Sequence, residues 1–125
     1  MSNIAYYNFN QMPPSLHHFQ DTVCAKVTLR AGKYVLFAKG QLQNFDGDYQ
    51  NADARLTALH GSVQLDQVTV RLGGGGGSFM GAVALLATWT VQDDDVIEVR
   101  CATYNGNAVW VYLVAMLMDE ILTGP

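Results

Sequence analysis

The eleven residues from Ala108 to Met118 are all apolar or aromatic, and this run restricts the fold more than any other stretch of the chain. It is too short for a membrane-spanning helix, which needs about 20 apolar residues. It is rich in the β-branched and aromatic types that suit a pleated surface. Read as a strand, it puts Val109, Val111, Leu113, Ala115 and Leu117 on one face and Trp110, Tyr112, Val114, Met116 and Met118 on the other. A strand with one wet face alternates apolar with polar residues, and this one does not. Both faces therefore need cover, one from the domain core and the other from a second chain. Leaving the second face in water would forfeit roughly 1.5–3 kcal/mol for each large side chain.

The same period of two runs through most of the sequence. Val23, Ala25, Val27 and Leu29 alternate with Cys24, Lys26, Thr28 and Arg30. Gly32 lets the chain turn before Tyr34, Leu36, Ala38 and Leu42 line one face of the next strand, with Gly40 a weak point or a bulge. Ala52, Ala54, Leu56 and Ala58 follow, and His60-Gly61 turns the chain. In Val63, Leu65, Val68, Val70 and Leu72 the alternation slips, which predicts a bulge or break near Asp66-Gln67. Residues 78–91 form another strand, broken at Gly81, and residues 96–104 the next. Asn105-Gly106 has the composition of a two-residue hairpin turn into the closing strand. Seven or eight evenly spaced strands without a helix predict an antiparallel β-sandwich or barrel. Residues 1–20, with Pro13-Pro14 and the aromatics Tyr6, Tyr7 and Phe9, read as an extended N-terminal arm. Its aromatics need a surface, on the arm's own sandwich or on a neighbouring subunit. The remaining residues, 21–125, make one domain.

Of the 125 residues only 14% are charged, against the usual quarter, and six Tyr and two Trp stand beside them. Interfaces have this bias, so part of the surface is expected to be covered by other subunits. The net charge of −4 and the single, scattered placement of Lys26, Arg30, Lys33, Lys39, Arg55, Arg71 and Arg100 argue against nucleic acid. No run is long enough for membrane insertion. Residues 1–6 lack the basic head and apolar stretch of a secretory signal, which leaves cytoplasmic residence or export without a cleaved signal. Cys24 and Cys101 would bridge only from neighbouring strands. Without an export signal, two small buried thiols is the leading reading.

Candidate chemistry is sparse. Gly73–Gly77 lacks the Lys-Ser/Thr pair and the helix that a phosphate-binding loop requires, so it reads as a loop between strands. Asp93-Asp94-Asp95 and Asp46-Gly47-Asp48 supply few of the six to eight oxygens that calcium takes and read as solvated turns. His17 and His18 point to opposite sides of an extended segment and do not converge on a metal. There is no Gly-x-Ser-x-Gly elbow. The sequence thus points to a protein that is not an enzyme and uses no cofactor or metal.

The segment Gly32-x-Tyr34-x-Leu36 and the spacing of Val91, Asp94, Asp95, Ile97 and Val99, followed by Ala115-Met116-Leu117, resemble the jelly-roll superfamily of tumour necrosis factor and the globular heads of complement-type proteins. Leu36 stands in place of the usual Phe, Ala38 in place of the second aromatic, and Asp94 in place of a Gly. The chain also resembles bacterial and phage-encoded jelly rolls. The resemblance covers roughly residues 22–118. It implies a jelly-roll sandwich and a three-fold trimer with aromatic and aliphatic side chains along its axis. Trp110, Tyr112, Val114 and Met116 are then the expected oligomer interface.

Two functions follow as expectations. One is a lectin-like binding module whose loops present Tyr49, His60, Trp89, Tyr104 or Asn105 to a glycan, a peptide or a cell-surface receptor. The alternative is a structural component of a fibre, tail or virion, with the arm clasping a neighbour and no small ligand.

Overall fold

A computed structural model describes residues 4–11, 13–45, 51–60, 62–72 and 79–124. The described secondary structure is all β: β1 (Ala5–Asn10), β2 (Ser15–His17), β3 (Thr22–Leu29), β4 (Gly32–Asn44), β5 (Asn51–Ala58), β6 (Val63–Arg71), β7 (Phe79–Val91), β8 (Asp95–Thr103) and β9 (Asn105–Met118). They form two antiparallel sheets packed as a sandwich. The first has the order β1-β9-β4-β7, with short β2 also paired to β9; the second has the order β3-β8-β5-β6.

The alternations read from the sequence set the core. Tyr34, Leu36, Ala38 and Leu42 of β4 are fully buried, as are Ala52, Ala54, Leu56 and Ala58 of β5. Val111, Leu113 and Ala115 of β9 meet them from the same sheet as β4, and Ile97 and Val99 of β8 from the sheet of β5. The Tyr34 hydroxyl donates to the Arg30 carbonyl oxygen at 2.9 Å, so its polar end is satisfied inside the core. Side-chain hydrogen bonds tie the sheets at both open sides. Asn10 Nδ2 of β1 donates to the Cys24 carbonyl of β3 at 2.7 Å, and Leu86 N of β7 donates to Asp66 Oδ2 of β6 at 2.9 Å.

Several local expectations need correction. Asn105-Gly106 is not a hairpin turn. Both residues belong to β9, which pairs with β2 and β4, whereas β8 lies in the other sheet. The glycine serves a different need: a Cβ on Gly106 would sit 1.8 Å from the Gln43 carbonyl oxygen, so only glycine lets β9 approach β4 there. Gly81 does not break β7. It makes room for Leu72, whose Cδ2 would lie 2.4 Å from an added Cβ. The bulge expected near Asp66-Gln67 is present: Leu65 is skipped as the pairing passes from Leu56↔Asp66 to Thr57↔Gln64. A second bulge skips Val109 between Gln41↔Trp110 and Leu42↔Ala108, so Ala108 is buried in place of Val109 at that end of the core face. A third at Cys24 buries both Cys24 and Ala25. Asp95 is buried rather than solvated, and its Oδ1 accepts from the backbone N–H of His60 (2.8 Å) and of Val96 (2.7 Å). The segment expected as an arm is extended, and β1 lies along β9 of its own chain, from Ala5↔Met116 to Asn10↔Val111.

Candidate functional site

The register of the first sheet decides what its outer face carries. Val114 of β9 sits between Tyr7 of β1 and Phe37 of β4, and Leu86 of β7 lies beyond Phe37. One row along, Phe9, Tyr112, Lys39 and Ala84 align in the same order. Each of these positions points away from the core because its neighbours in sequence point in. The face is therefore aromatic and aliphatic across all four strands. Tyr7 stacks on Tyr112 with centroids 6.2 Å apart, and Phe9 packs against Tyr112 at 5.3 Å and edge-on against Trp110 at 6.3 Å.

These rings border a hollow of about 500 Å³ lined by Phe9, Phe37, Lys39, Trp110, Tyr112 and Val114. Lys39 is the charge in the middle of the face, and its Nζ lies 5.9 Å from the Trp110 ring centroid, a cation–π arrangement. The Trp110 indole N–H donates to Gln41 Oε1 at 3.2 Å, so the ring's polar edge is already satisfied. What the face offers to a partner is mainly apolar, with the Lys39 ammonium at its centre and Lys33 at one end.

Its size can be gauged. Tyr7 is 68% exposed, Leu86 62% and Met80 58%, while Phe9, Phe37, Met116 and Met118 are 39–45% exposed. At roughly 200 Å² for a large side chain, these seven leave on the order of 700 Å² open. These side chains are spread along the whole face, from Met80 opposite Gln43 to Met118 opposite Lys33. A standard interface takes about 800 Å² from each partner.

The outer face of the second sheet is built oppositely. Here Lys26 and Thr28 of β3, Glu98 and Arg100 of β8, Asp53, Arg55 and Thr57 of β5, and Gln64 and Gln67 of β6 point outward, again by register. Arg55 and Arg100 lie directly opposite one another. Asp21, from the segment before β3, bridges them: its Oδ2 accepts from Arg100 Nη1 at 2.9 Å and pairs with Arg55 Nη2. Glu98 Oε1 holds the other side of Arg100 at 2.9 and 3.2 Å and is itself buried. Burial pushes the Asp21 carboxyl up, but the hydrogen bonds and charges of Arg55 and Arg100 outweigh it and hold it below its ordinary value.

The five residues expected to present a ligand do not converge. Tyr49 lies outside the described residues, as do Gly73–Gly77 and Asp46-Gly47-Asp48. Tyr104 lies between β8 and β9 and Asn105 opens β9; the Tyr104 ring stacks on His18 at 5.2 Å. His60 stands at the other end of β5, roughly 25 Å away at strand rise, bound to Asp95. Trp89 is on β7, not on a loop. It pairs with Tyr34 and packs against the core. The four residues expected at an oligomer interface do come together on β9, and the structure adds Tyr7, Phe9, Phe37 and Leu86 to them. The signal for Phe37 was its place opposite Leu36 in the alternation.

Cys24 and Cys101 are free thiols, buried and adjacent. The hydrogen bond with Cys24 and burial push the Cys101 thiol well above its ordinary value, which makes it a poor nucleophile. Among the described residues no group of three or more His, Cys, Asp or Glu side chains could hold a metal ion, and no helix is long and apolar enough to cross a membrane. Compared with known proteins, the chain matches no family model and no curated protein.

Proposed function

We propose that this chain is a non-enzymatic recognition module that assembles as a homotrimer through the outer face of its first sheet, leaving the rest of the sandwich to meet a glycan or a cell-surface receptor. The observation that carries this reading is the apolar face centred on Tyr112 and Val114. At about 25 cal/mol per Å², covering on the order of 700 Å² is worth on the order of 17 kcal/mol gross. Lost freedom and side-chain ordering offset much of that gross figure, and the area is close to the ~800 Å² that a standard interface takes from each partner. The occupant is taken as another copy because every copy carries the same excess apolar surface, and closed rings of identical chains remove it from water on all of them.

The finer fold type belongs to the same reading. β5 pairs with β6, β4 with β7, β3 with β8 and β1 with β9, as though one long hairpin had been wound into two sheets. This nesting supports a jelly roll. The number three rests on the resemblance of Gly32, Tyr34 and the Val91–Val99 segment to the tumour necrosis factor and complement-head superfamily.

Native mass spectrometry tests the assembly. A species of three chains that falls to one chain in Tyr112→Asp supports the proposal. A single chain for the unaltered protein, or a mass unchanged by the substitution, refutes it.

A further inference from the structure

We propose that the outer face of the second sheet carries a carbohydrate site: a polar groove that holds neutral sugar residues on either side of the Asp21–Arg55–Arg100 bridge. Two adjoining hollows, of about 240 and 270 Å³, share Asp21, Arg55, Gln64 and Arg100 as a common wall. Phe19, Asp53 and Gln67 complete the first, and Thr57, Ser62 and Glu98 help to line the second. Each hollow is smaller than the ~300–1,000 Å³ sites of drug-sized ligands, a size that suits one sugar ring apiece.

The chemistry of the walls selects the ligand class. A sugar hydroxyl both donates and accepts, so neighbouring hydroxyls need acceptors and donors side by side. The groove supplies carboxylates on Asp21 and Asp53, planar guanidinium forks on Arg55 and Arg100, and amides on Gln64 and Gln67 that do both. Phosphate or sulfate is a poor fit. The guanidinium charges are already met by Asp21 and Glu98, and Asp53 adds a further carboxylate.

The groove is also prebuilt. Surface ion pairs contribute little to stability, yet Glu98 is buried beneath Arg100 on an outward face and fixes its guanidinium from the side away from Asp21. Thr57 lines the second hollow, with its hydroxyl oxygen buried and without a hydrogen-bond partner among the described residues.

An aromatic ring stands at the mouth. Phe19 is 43% exposed and leans on Tyr104, with centroids 5.8 Å apart. The chain reaches it through two successive left-handed residues, His18 (φ 50°) and Phe19 (φ 57°). Their backbone N–H groups donate to the carbonyls of Tyr104 and Thr103, which ties this conformation down. An exposed, braced aromatic ring lining the same hollow as Asp21, Asp53, Gln64 and Gln67 matches the apolar C–H face and hydroxyl edge of a pyranose.

The inference takes its ligand class from the recognition reading, but the groove lies on the face opposite the one assigned to assembly, so either can fail alone. The test is saturation-transfer NMR on the full chain with methyl β-galactoside, methyl α-glucoside, methyl α-mannoside and N-acetylglucosamine, each at about 10 mM, with inorganic phosphate as competitor. The expected result is transfer to the ring protons of at least one sugar. That transfer should be cut at least about five-fold in both Phe19→Ala and Gln67→Ala, kept in the presence of phosphate, and kept in Val114→Glu whatever the mass of that variant. Gln67 is exposed on an outward face, so its substitution leaves the fold intact and reads the groove alone. No transfer from any of the four sugars, transfer undiminished in both groove variants, or displacement by phosphate would overturn the proposal.

Discussion

The two outer faces of this sandwich are built on the same geometry and carry opposite chemistry. The first is a sheet of five strands, counting short β2, and the second a sheet of four; on both, side chains point out by the same alternation. On the first sheet, Tyr7, Phe9, Phe37, Val114 and Leu86 surround the charge of Lys39. On the second, Lys26, Asp53, Arg55, Glu98 and Arg100 share the face with threonines and glutamines. The second face is what an antiparallel sheet presents to water, and the first resembles a core with its other half missing. The low charge content of the chain is therefore unevenly distributed: where charges are absent, a partner chain is expected to take their place.

Placing the same charge on each face separates them most sharply. Val114→Glu puts a carboxylate at the centre of the apolar face. It should weaken association at least about 100-fold, or ~2.7 kcal/mol, because the interface would have to desolvate a carboxylate that only Lys39 of the same hollow faces. Gln67→Glu on the second face should leave the mass unchanged. Equal behaviour of the two variants in sedimentation would erase the distinction.

The next effect concerns the platform beneath the apolar face. Gly106→Ala drives a methyl group into the Gln43 carbonyl and should cost about 3 kcal/mol or more in chemical denaturation. Gly81→Ala meets only the terminal methyl of Leu72, which can move, and should cost less. A smaller loss, about 1 kcal/mol, is expected for Gln41→Ala, which leaves the Trp110 indole N–H without its acceptor. If Gln41→Ala is neutral in thermal melts, water reaches that edge and takes the place of the Gln41 acceptor.

The smallest effect belongs to the charged face. Asp21 has its carboxyl held below the ordinary value, so its contribution is present above pH ~4 and is lost as pH falls through the lowered folded-state value. Asp21→Asn should cost less than about 1 kcal/mol at neutral pH, as partly exposed ion pairs do. Its melting curve should converge with that of the unaltered protein in acid below pH ~4. A difference that does not shrink as the pH falls would assign the effect to shape instead of charge.

The sequence disclosed the strands better than the sites. The alternation through Tyr34, Leu36 and Ala38, and through Ala52 to Ala58, identified buried faces directly, because period two leaves no other side for the core. The double-sided run of β9 announced an outward apolar face before its neighbours were known. Sheet neighbours were not legible: nothing in Tyr7, Phe37 or Leu86 states that β1, β4 and β7 flank β9 in that order. The charged groove was missed for the same reason. Asp21, Arg55 and Arg100 are far apart in the chain, and only the pairing of β5 with β8 brings the two arginines together. Asn105-Gly106 misled because two needs, a tight turn and a close strand approach, select the same residue.

Sedimentation velocity on the unaltered chain at micromolar concentration tests the central claim most directly. The proposed trimer, closed through the first sheet's outer face, predicts one boundary at three times the 13.7 kDa chain mass, persisting on dilution until unfolding begins. A folded particle of 13.7 kDa, with Tyr7, Phe37 and Leu86 left in water, would contradict it.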